Sequence, residues 1–276
     1  WRMPYCMDAL EALAVMAGSP NADHENQERL FELFDTILAA QARVGGGKRR
    51  ETDEGAVYEF GREIEFGIRA VPAAVRGFER IYLSDQASDA MRTQVVHRML
   101  VLWEGVSKVR IVWGPAGIQA LVDAMCAAAC SEHASVPTRV RLGTSLLRFL
   151  NKLSVVRSIG RICSRPTDAE PMQELALEAA DELLTEWLEA DQQDDERRLA
   201  LLQAMGRIAS GGALPPGEET ATVRERIMQA LFAGLREGMR QVREPLLALR
   251  EAEGVTDAQR REIDDRLAKV FGLVKT

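Results

Sequence analysis

Cysteine and histidine are scarce in this sequence. Its 276 residues include 4 Cys and 3 His. The cysteines lie within apolar helical patterns, where thiols usually serve as small buried side chains in a reducing compartment, so we expect no disulfides and an intracellular, cytoplasmic protein. None of the histidines falls in a pattern that would pair it with a nucleophile. A disulfide scaffold and a histidine-dependent hydrolase are therefore not expected.

Long uncharged apolar runs are almost absent as well. The one segment that invites comparison with a membrane span is 111–131, where Asp123 is the single charge. Gly114 and Pro115 would break a spanning helix near one end, and a charge at mid-span costs about 2.5–3.5 kcal/mol. We therefore expect a buried helix that starts at Pro115 and no membrane span.

Runs of alternating β-branched residues, which would indicate strands, are also lacking. Apolar residues instead recur at intervals of three and four, as in Leu30, Leu33 and Phe34, and this period is that of a helix. Glycine and proline punctuate the pattern. We predict an all-α protein whose helices from the third onward span 56–69, 73–83, 86–112, 116–131, 138–163, 172–190, 195–210, 221–251 and 257–273.

Two of these helices begin with cap signals. Ser84 or Asp85 precedes the helix predicted from residue 86, and Thr256 stands three residues before Gln259. A side-chain oxygen at such a position accepts a hydrogen bond from the first free backbone amides of a helix. The second pair predicts a capping box.

Paired helices recur at roughly 40 to 50 residues, the period of HEAT and armadillo repeats. The stretch DALEALAVMAGSPNADHENQERLFELFDTIL resembles the join between two armadillo repeats, and Asn26 and Gln27 stand where that family places an Asn-Gln pair. AGIQALVDAM at 116–125 resembles a second helix of the repeat. LLRFLNKLS at 146–154 resembles a third helix, with Asn151 close to the family's asparagine position.

The resemblance to armadillo-repeat proteins implies a right-handed superhelix of stacked helix pairs or triplets, an α-solenoid whose third helices face a concave groove. We expect one such domain over 1–276, and because the chain starts at Trp1 rather than Met we expect it to be a fragment of a longer protein. Segments 45–55 and 211–220 are predicted loops. These loops and a 221–251 helix with Pro245 inside it depart from the regular repeat.

A glycine-rich stretch and a carboxylate cluster could suggest catalysis. VGGGKRRE lacks the first glycine and the Ser or Thr of a phosphate-binding loop and follows no strand, so we interpret it as a polar loop. Glu59, Glu63 and Glu65 have no Glu-x-x-His partner and fit a solvated helix face. We therefore expect no enzymatic activity.

Cys126, Cys130 and His133 are spaced so that all three could share one helix face and bind a metal ion. No fourth ligand is evident. The run AMCAAAC is more typical of a small-residue face that another helix approaches closely, so we favour the core interpretation over the metal interpretation. We expect neither a metal ion nor a cofactor.

The charges are segregated around residue 167. Segment 138–167 carries seven Lys and Arg and no carboxylate, and segment 168–196 carries twelve Asp and Glu and no Lys or Arg. On a helix from residue 138 to about residue 153, the first three exposed cations share one face, and the next three continue at intervals of four. The predicted basic stripe consists of Arg141, Arg148, Lys152, Arg157, Arg161 and Arg165.

Two interpretations of this stripe compete. In the first, its charges pair with Glu174, Glu178 and Glu182 on a neighbouring helix, each exposed pair contributing about 0–1 kcal/mol. In the second, the stripe lines the concave groove and binds a protein partner through an acidic or phosphorylated segment. Nucleic acid is the less favoured partner, because the net charge is −7 and only Phe149 interleaves the arginines.

The favoured function is therefore that of a non-catalytic interaction module or scaffold that binds a protein partner on a basic groove. A metal- or small-molecule-binding enzyme or receptor built on helices is one alternative, and a helical repeat that binds nucleic acid is another. The sequence makes no prediction of oligomeric state.

Overall fold

A computed structural model describes the backbone of residues 3–43, 48–52, 55–59, 62–107 and 115–272 and the side chains of 8–39, 70–106 and 115–272. The all-α prediction is confirmed, with one short hairpin as the exception. The helices are α1 (Met3–Ala17), α2 (His24–Arg43), α3 (Arg62–Leu83), α4 (Asp89–Ser107), α5 (Pro115–Cys130), α6 (Val136–Leu147), α7 (Leu153–Ile162), α8 (Glu170–Glu189), α9 (Asp195–Ser210), α10 (Glu218–Arg236), α11 (Arg243–Glu251) and α12 (Asp257–Phe271). In this part of the chain, no helix is both long and apolar enough to cross a membrane.

The hairpin consists of β1 (Lys48–Thr52) and β2 (Gly55–Glu59), which pair antiparallel with Lys48 opposite Glu59. It occupies part of the segment predicted as a loop and the first residues of a predicted helix. Val57 and Tyr58 are residue types that prefer strands, and this preference outweighs the weak helical period around them. The prediction of a helix from residue 56 was therefore wrong.

Helix α3 runs through Pro72, where the sequence predicted a break. A proline inside a helix removes one backbone hydrogen bond and normally costs about 3 kcal/mol. Here α3 packs against α1, α2, α4 and α5, and the residues around Pro72 are buried. This packing on several sides offsets the lost hydrogen bond.

Two long predicted helices are each divided in the structure. The 138–163 helix ends at Leu147 and resumes at Leu153. The 221–251 helix is divided between α10 and α11, because Gly238 adopts a φ of 90° and a short 3-10 turn follows it. Pro245 consequently lies in the first turn of α11, where a proline is tolerated.

The cap predictions had mixed outcomes. Helix α4 begins later than predicted, at Asp89, and the Oγ of Ser88 accepts a hydrogen bond from the backbone N–H of Met91 at 3.2 Å. At α12 the capping box is present, with Thr256 and Gln259 each bonding the other's backbone amide. The 211–220 loop is shorter than predicted, because α10 starts at Glu218.

Backbone contacts divide the chain into two compact units, Trp1–Ala134 and Ser135–Thr276. The prediction of a single repeat domain over 1–276 stays a prediction. In unit 1, α3 is the central helix, and its Phe78 is fully buried against the aromatic rings of Phe31 and Phe34 on α2.

The Asn-Gln pair of the first resemblance lies at the start of α2 in unit 1. Asn26 is exposed, whereas Gln27 is fully buried and its Nε2 donates a hydrogen bond to the Oγ of Ser84 at 2.9 Å. Buried amides need such partners, because an unpaired one costs about 1–3 kcal/mol. Gln27 therefore ties α2 to the turn after α3.

Glu79 on α3 gives unit 1 a pH-dependent stability. Burial raises the pKa of Glu79 above its ordinary value of 4.5, Arg80 and Arg76 oppose the rise, and Asp123 adds to it. Because the folded state then holds the proton more tightly, this group's contribution to stability is fullest below pH 4.5 and is lost as the pH rises through the raised pKa.

We expect Glu79→Gln to raise the urea midpoint at pH 7 and to remove the loss of stability that accompanies ionisation of Glu79. The exposed Glu32→Gln is the control, and an equal gain in both variants would contradict the prediction.

The helices of unit 2 form two rows. In the first row α6 packs against α8 and α8 against α10, and in the second row α7 packs against α9 and α9 against α11. Consecutive helices join the rows, since α6 contacts α7, α8 contacts α9 and α10 contacts α11. The second-row helices begin at Leu153, Asp195 and Arg243, so their starts are roughly 40 to 50 residues apart, while a true sequence repeat stays a prediction.

Glycines let the second-row helices approach closely. A Cβ on Gly160 of α7 would lie 2.8 Å from the Cα of Ala204 on α9. A Cβ on Gly206 of α9 would lie 2.4 Å from the Cβ of Pro245 on α11. Such distances leave no room for a side chain, so both helix contacts depend on glycine.

Candidate binding surface

The six predicted binding residues all lie in unit 2, around α6 and α7. Arg141 is exposed on α6, Arg148 is exposed immediately after that helix, and Lys152 is half-buried immediately before α7. The prediction that these three side chains share one helix face was wrong, because α6 ends at Leu147. The chain turns between them, so their helical spacing no longer applies.

Helix α7 presents a basic face to solvent. Arg157 and Arg161 are its only exposed residues, and they stand one turn apart. Arg157 forms an ion pair with Glu196 at the start of α9, at 3.0 Å. Arg165 is half-buried and lies three residues beyond the end of α7.

Two carboxylates of the acidic helix α8 form ion pairs with arginines outside the basic segment. On α8, Asp181 pairs with Arg226 of α10 at 2.6 Å, and Glu186 pairs with Arg197 of α9. The carboxylates that were candidate partners of the stripe are exposed, namely Glu174, Glu178 and Glu182. The ion pair Arg157–Glu196 joins the basic segment to the acidic segment.

Two of the three arginines on α9 form ion pairs, and the third is exposed. Arg198 is buried, stacks 4.1 Å from the ring centre of Trp187 and forms an ion pair with Glu237 at 2.9 Å. Arg207 in the last turn of α9 is exposed and has no ion pair among the described side chains. Arg207 was not predicted as a binding residue, because it lies outside the basic segment, on a helix that packs against α7.

The metal-binding interpretation of Cys126, Cys130 and His133 is not supported by their placement. Cys126 is buried on α5, Cys130 is the last residue of that helix, and His133 lies in the following turn. The imidazole of His133 instead faces Asp85. Neither cysteine is in a disulfide, nor is Cys163, whose burial raises its pKa to about 12.

Two other sequence features fall partly or wholly outside the described residues. These are the side chains of the carboxylate cluster at 59–65 and the glycines at 45–47.

Unit 2 also contains an open cavity of about 730 Å³ between the turns that follow α7, α9 and α11. Arg224 of α10 lines it, donates from Nε to the carbonyl oxygen of Ala209 at 3.2 Å, and has its pKa lowered by burial. The carboxylates of Asp168, Glu251 and Glu253 also line the cavity. This mixture of charges favours no single ligand class.

Comparison with protein families, with curated proteins and with solved structures finds no significant match for this chain.

Proposed function

We propose that unit 2 is an armadillo-like α-solenoid that acts as a non-catalytic interaction module and binds an acidic segment of a protein partner. The stacking of helix pairs in two rows supports the solenoid, because each pair contacts only its neighbours and the core continues from pair to pair. The observation that carries the function is the basic outer face of α7 and α9, which we call the arginine face and define by Arg157, Arg161 and Arg207.

The exposed charge of α7 and α9 in the second row differs in sign from that of α8 in the first row. The exposed residues of α7 are arginines, and beyond its first turn α9 exposes only Arg207. The first row is acidic at α8, where the exposed carboxylates are Glu170, Glu174, Glu178, Asp181, Glu182 and Glu189. The charge inversion near residue 167 therefore corresponds to a change of row.

The members of the arginine face lie on two helices that pack against each other. Arg161 directly follows Gly160, which touches the backbone of Ala204, and Arg207 is one turn beyond Ala204 on the adjacent helix. Guanidinium groups bind carboxylates and phosphates in a bidentate manner and remain charged at all physiological pH values. An extended acidic or phosphorylated peptide lying across α7 and α9 would meet all three arginines.

The test uses a fluorescein-labelled peptide of eight glutamates and fluorescence anisotropy at low salt. We expect the double variant Arg161→Glu/Arg207→Glu to bind the peptide about tenfold more weakly, which corresponds to about 1.4 kcal/mol. Folding should be nearly unchanged, since exposed charges contribute about 0.5 kcal/mol or less. Binding of the wild type should weaken with added salt as the charges are screened.

The matched control is Arg236→Glu, which reverses an exposed arginine on α10 in the first row. Unchanged peptide binding in this variant would place the interaction on the arginine face. Equal weakening in both variants would contradict the proposal. A single-stranded oligonucleotide of the same charge provides a third arm, and tighter binding of the oligonucleotide than of the peptide would favour the nucleic-acid alternative.

A further inference from the structure

Three side chains with metal-binding atoms converge in unit 1. Asp85 lies in the turn between α3 and α4, and Glu132 and His133 lie in the turn after α5. One ligand atom from each lies within 4.8 Å of the others, and the Nε2 of His133 is 3.3 Å from the Oδ1 of Asp85. The chain thus brings an imidazole and two carboxylates together from turns that are far apart in sequence.

The spacing of His133 and Asp85 is compatible with two ligands of one metal ion. Zinc binds imidazole nitrogen and carboxylate oxygen at about 2.0–2.2 Å in a tetrahedral arrangement, so two ligand atoms stand about 3.3–3.6 Å apart. The Nε2–Oδ1 distance of 3.3 Å lies at the short end of this range. The same two side chains also form an ion-pair contact at this distance.

Both turns are held in place by hydrogen bonds that do not involve the three ligands' own metal-binding atoms. The Oγ of Ser84 accepts from Gln27, and the carbonyl oxygen of Ser84 accepts from Arg92 at 2.8 Å. In the second turn, the Oγ of Ser131 accepts from the backbone N–H of His133 at 3.2 Å. Ligands on turns fixed in this way lose little freedom when they bind an ion.

We propose that Asp85, Glu132 and His133 bind a divalent transition-metal ion of the zinc class. Imidazole favours zinc and its transition-metal neighbours over calcium and magnesium, and carboxylates complete the set. Three protein ligands leave the fourth position of the ion to water, and the exposure of both carboxylates gives water access. The ion would join the turn after α3 to the turn after α5.

The test is titration of the metal-free protein with zinc chloride, followed by calorimetry and by thermal melting. We expect one ion per chain and a melting temperature that rises with free zinc concentration, because zinc would bind the folded state preferentially. His133→Ala and Asp85→Asn should each weaken binding by at least about tenfold. Each variant is compared with its own metal-free melting temperature, so that a loss of stability is not mistaken for a loss of binding.

The chain supplies a matched control in His24, whose Nε2 lies 3.3 Å from the Oε1 of Glu28. This pair has the same separation but belongs to no three-ligand group in the described residues. His24→Ala should therefore leave zinc binding unchanged. The proposal is overturned if His24→Ala weakens binding as much as His133→Ala does, if His133→Ala binds zinc normally, or if calcium binds the wild type as tightly as zinc.

Discussion

Replacing Phe78 with alanine is expected to lower the free energy of unfolding by about 3–5 kcal/mol, the usual cost of removing a buried aromatic side chain. Phe78 is fully buried on the central helix of unit 1. Its ring stacks on Phe31 with centres 5.0 Å apart and meets the edge of Phe34 at 6.4 Å. Neighbouring helices cannot close the space that the ring would leave, because α3 is packed on several sides. Urea denaturation followed by far-UV circular dichroism measures the loss.

Phe31→Ala is the matched control for this prediction. It removes the same atoms from a ring that is half-buried at the edge of the same cluster. Because the hydrophobic contribution scales with the apolar area removed from water, the expected loss is clearly smaller. Equal losses in the two variants would show that α3 is not the centre of the core.

Gly160→Ala is expected to destabilise unit 2 by about 1–3 kcal/mol, the cost of overpacking a core. Alanine is the better helix former by about 1 kcal/mol, so a net loss would show that packing outweighs propensity. The obstacle is the backbone of Ala204, whose Cα would lie 2.8 Å from the new Cβ. A backbone atom in the middle of α9 cannot move aside unless the two helices separate. The urea midpoint again measures the effect.

Gly143→Ala is the matched control, because it adds the same methyl group next to a side chain that can move. Its Cβ would lie 2.5 Å from the Cδ2 of Leu175, which is the far end of a flexible side chain. A rotation of Leu175 can relieve this contact, so we expect a smaller loss or a small gain. If Gly143→Ala lowered the urea midpoint as much as Gly160→Ala, the loss in Gly160→Ala could not be assigned to the backbone contact between α7 and α9.

The Gly160 prediction also bears on the arginine face. A side chain at residue 160 would push α7 away from α9 and change the distance between Arg161 and Arg207. We therefore expect any weakening of acidic-peptide binding in Gly160→Ala to accompany its loss of stability. In Gly143→Ala, which leaves that helix contact intact, peptide binding should remain as in the wild type.

The sequence alone determined the fold class and most helices, because an amphipathic helix is a local pattern that repeats every three to four residues. The capping box at Thr256 and Gln259 was predictable for the same reason, since both partners lie within one turn. Errors arose where local signals were ambiguous or were overruled. The strand preference of Val57 and Tyr58 outweighed a weak helical period, and the packing of α3 overcame the break expected at Pro72.

The candidate sites needed the tertiary structure. The sequence identified a basic segment, and Arg157 and Arg161 do form an exposed face. It could not show that the chain turns between Arg148 and Lys152, nor that the helix of Arg207 packs against the helix of Arg157 and Arg161. In the same way it grouped His133 with cysteines on its own helix, whereas the fold places it beside Asp85.

One physical reason explains why the helices were predictable from the sequence and the candidate sites were not. Backbone hydrogen bonds and side-chain periodicity within a helix depend on residues three or four positions apart, so the sequence by itself determined the elements and their apolar faces. Which helices become neighbours depends on how closely their surfaces can pack, as at Gly160 and Ala204. Only that packing decided which charges pair, which remain exposed and which ligand atoms meet.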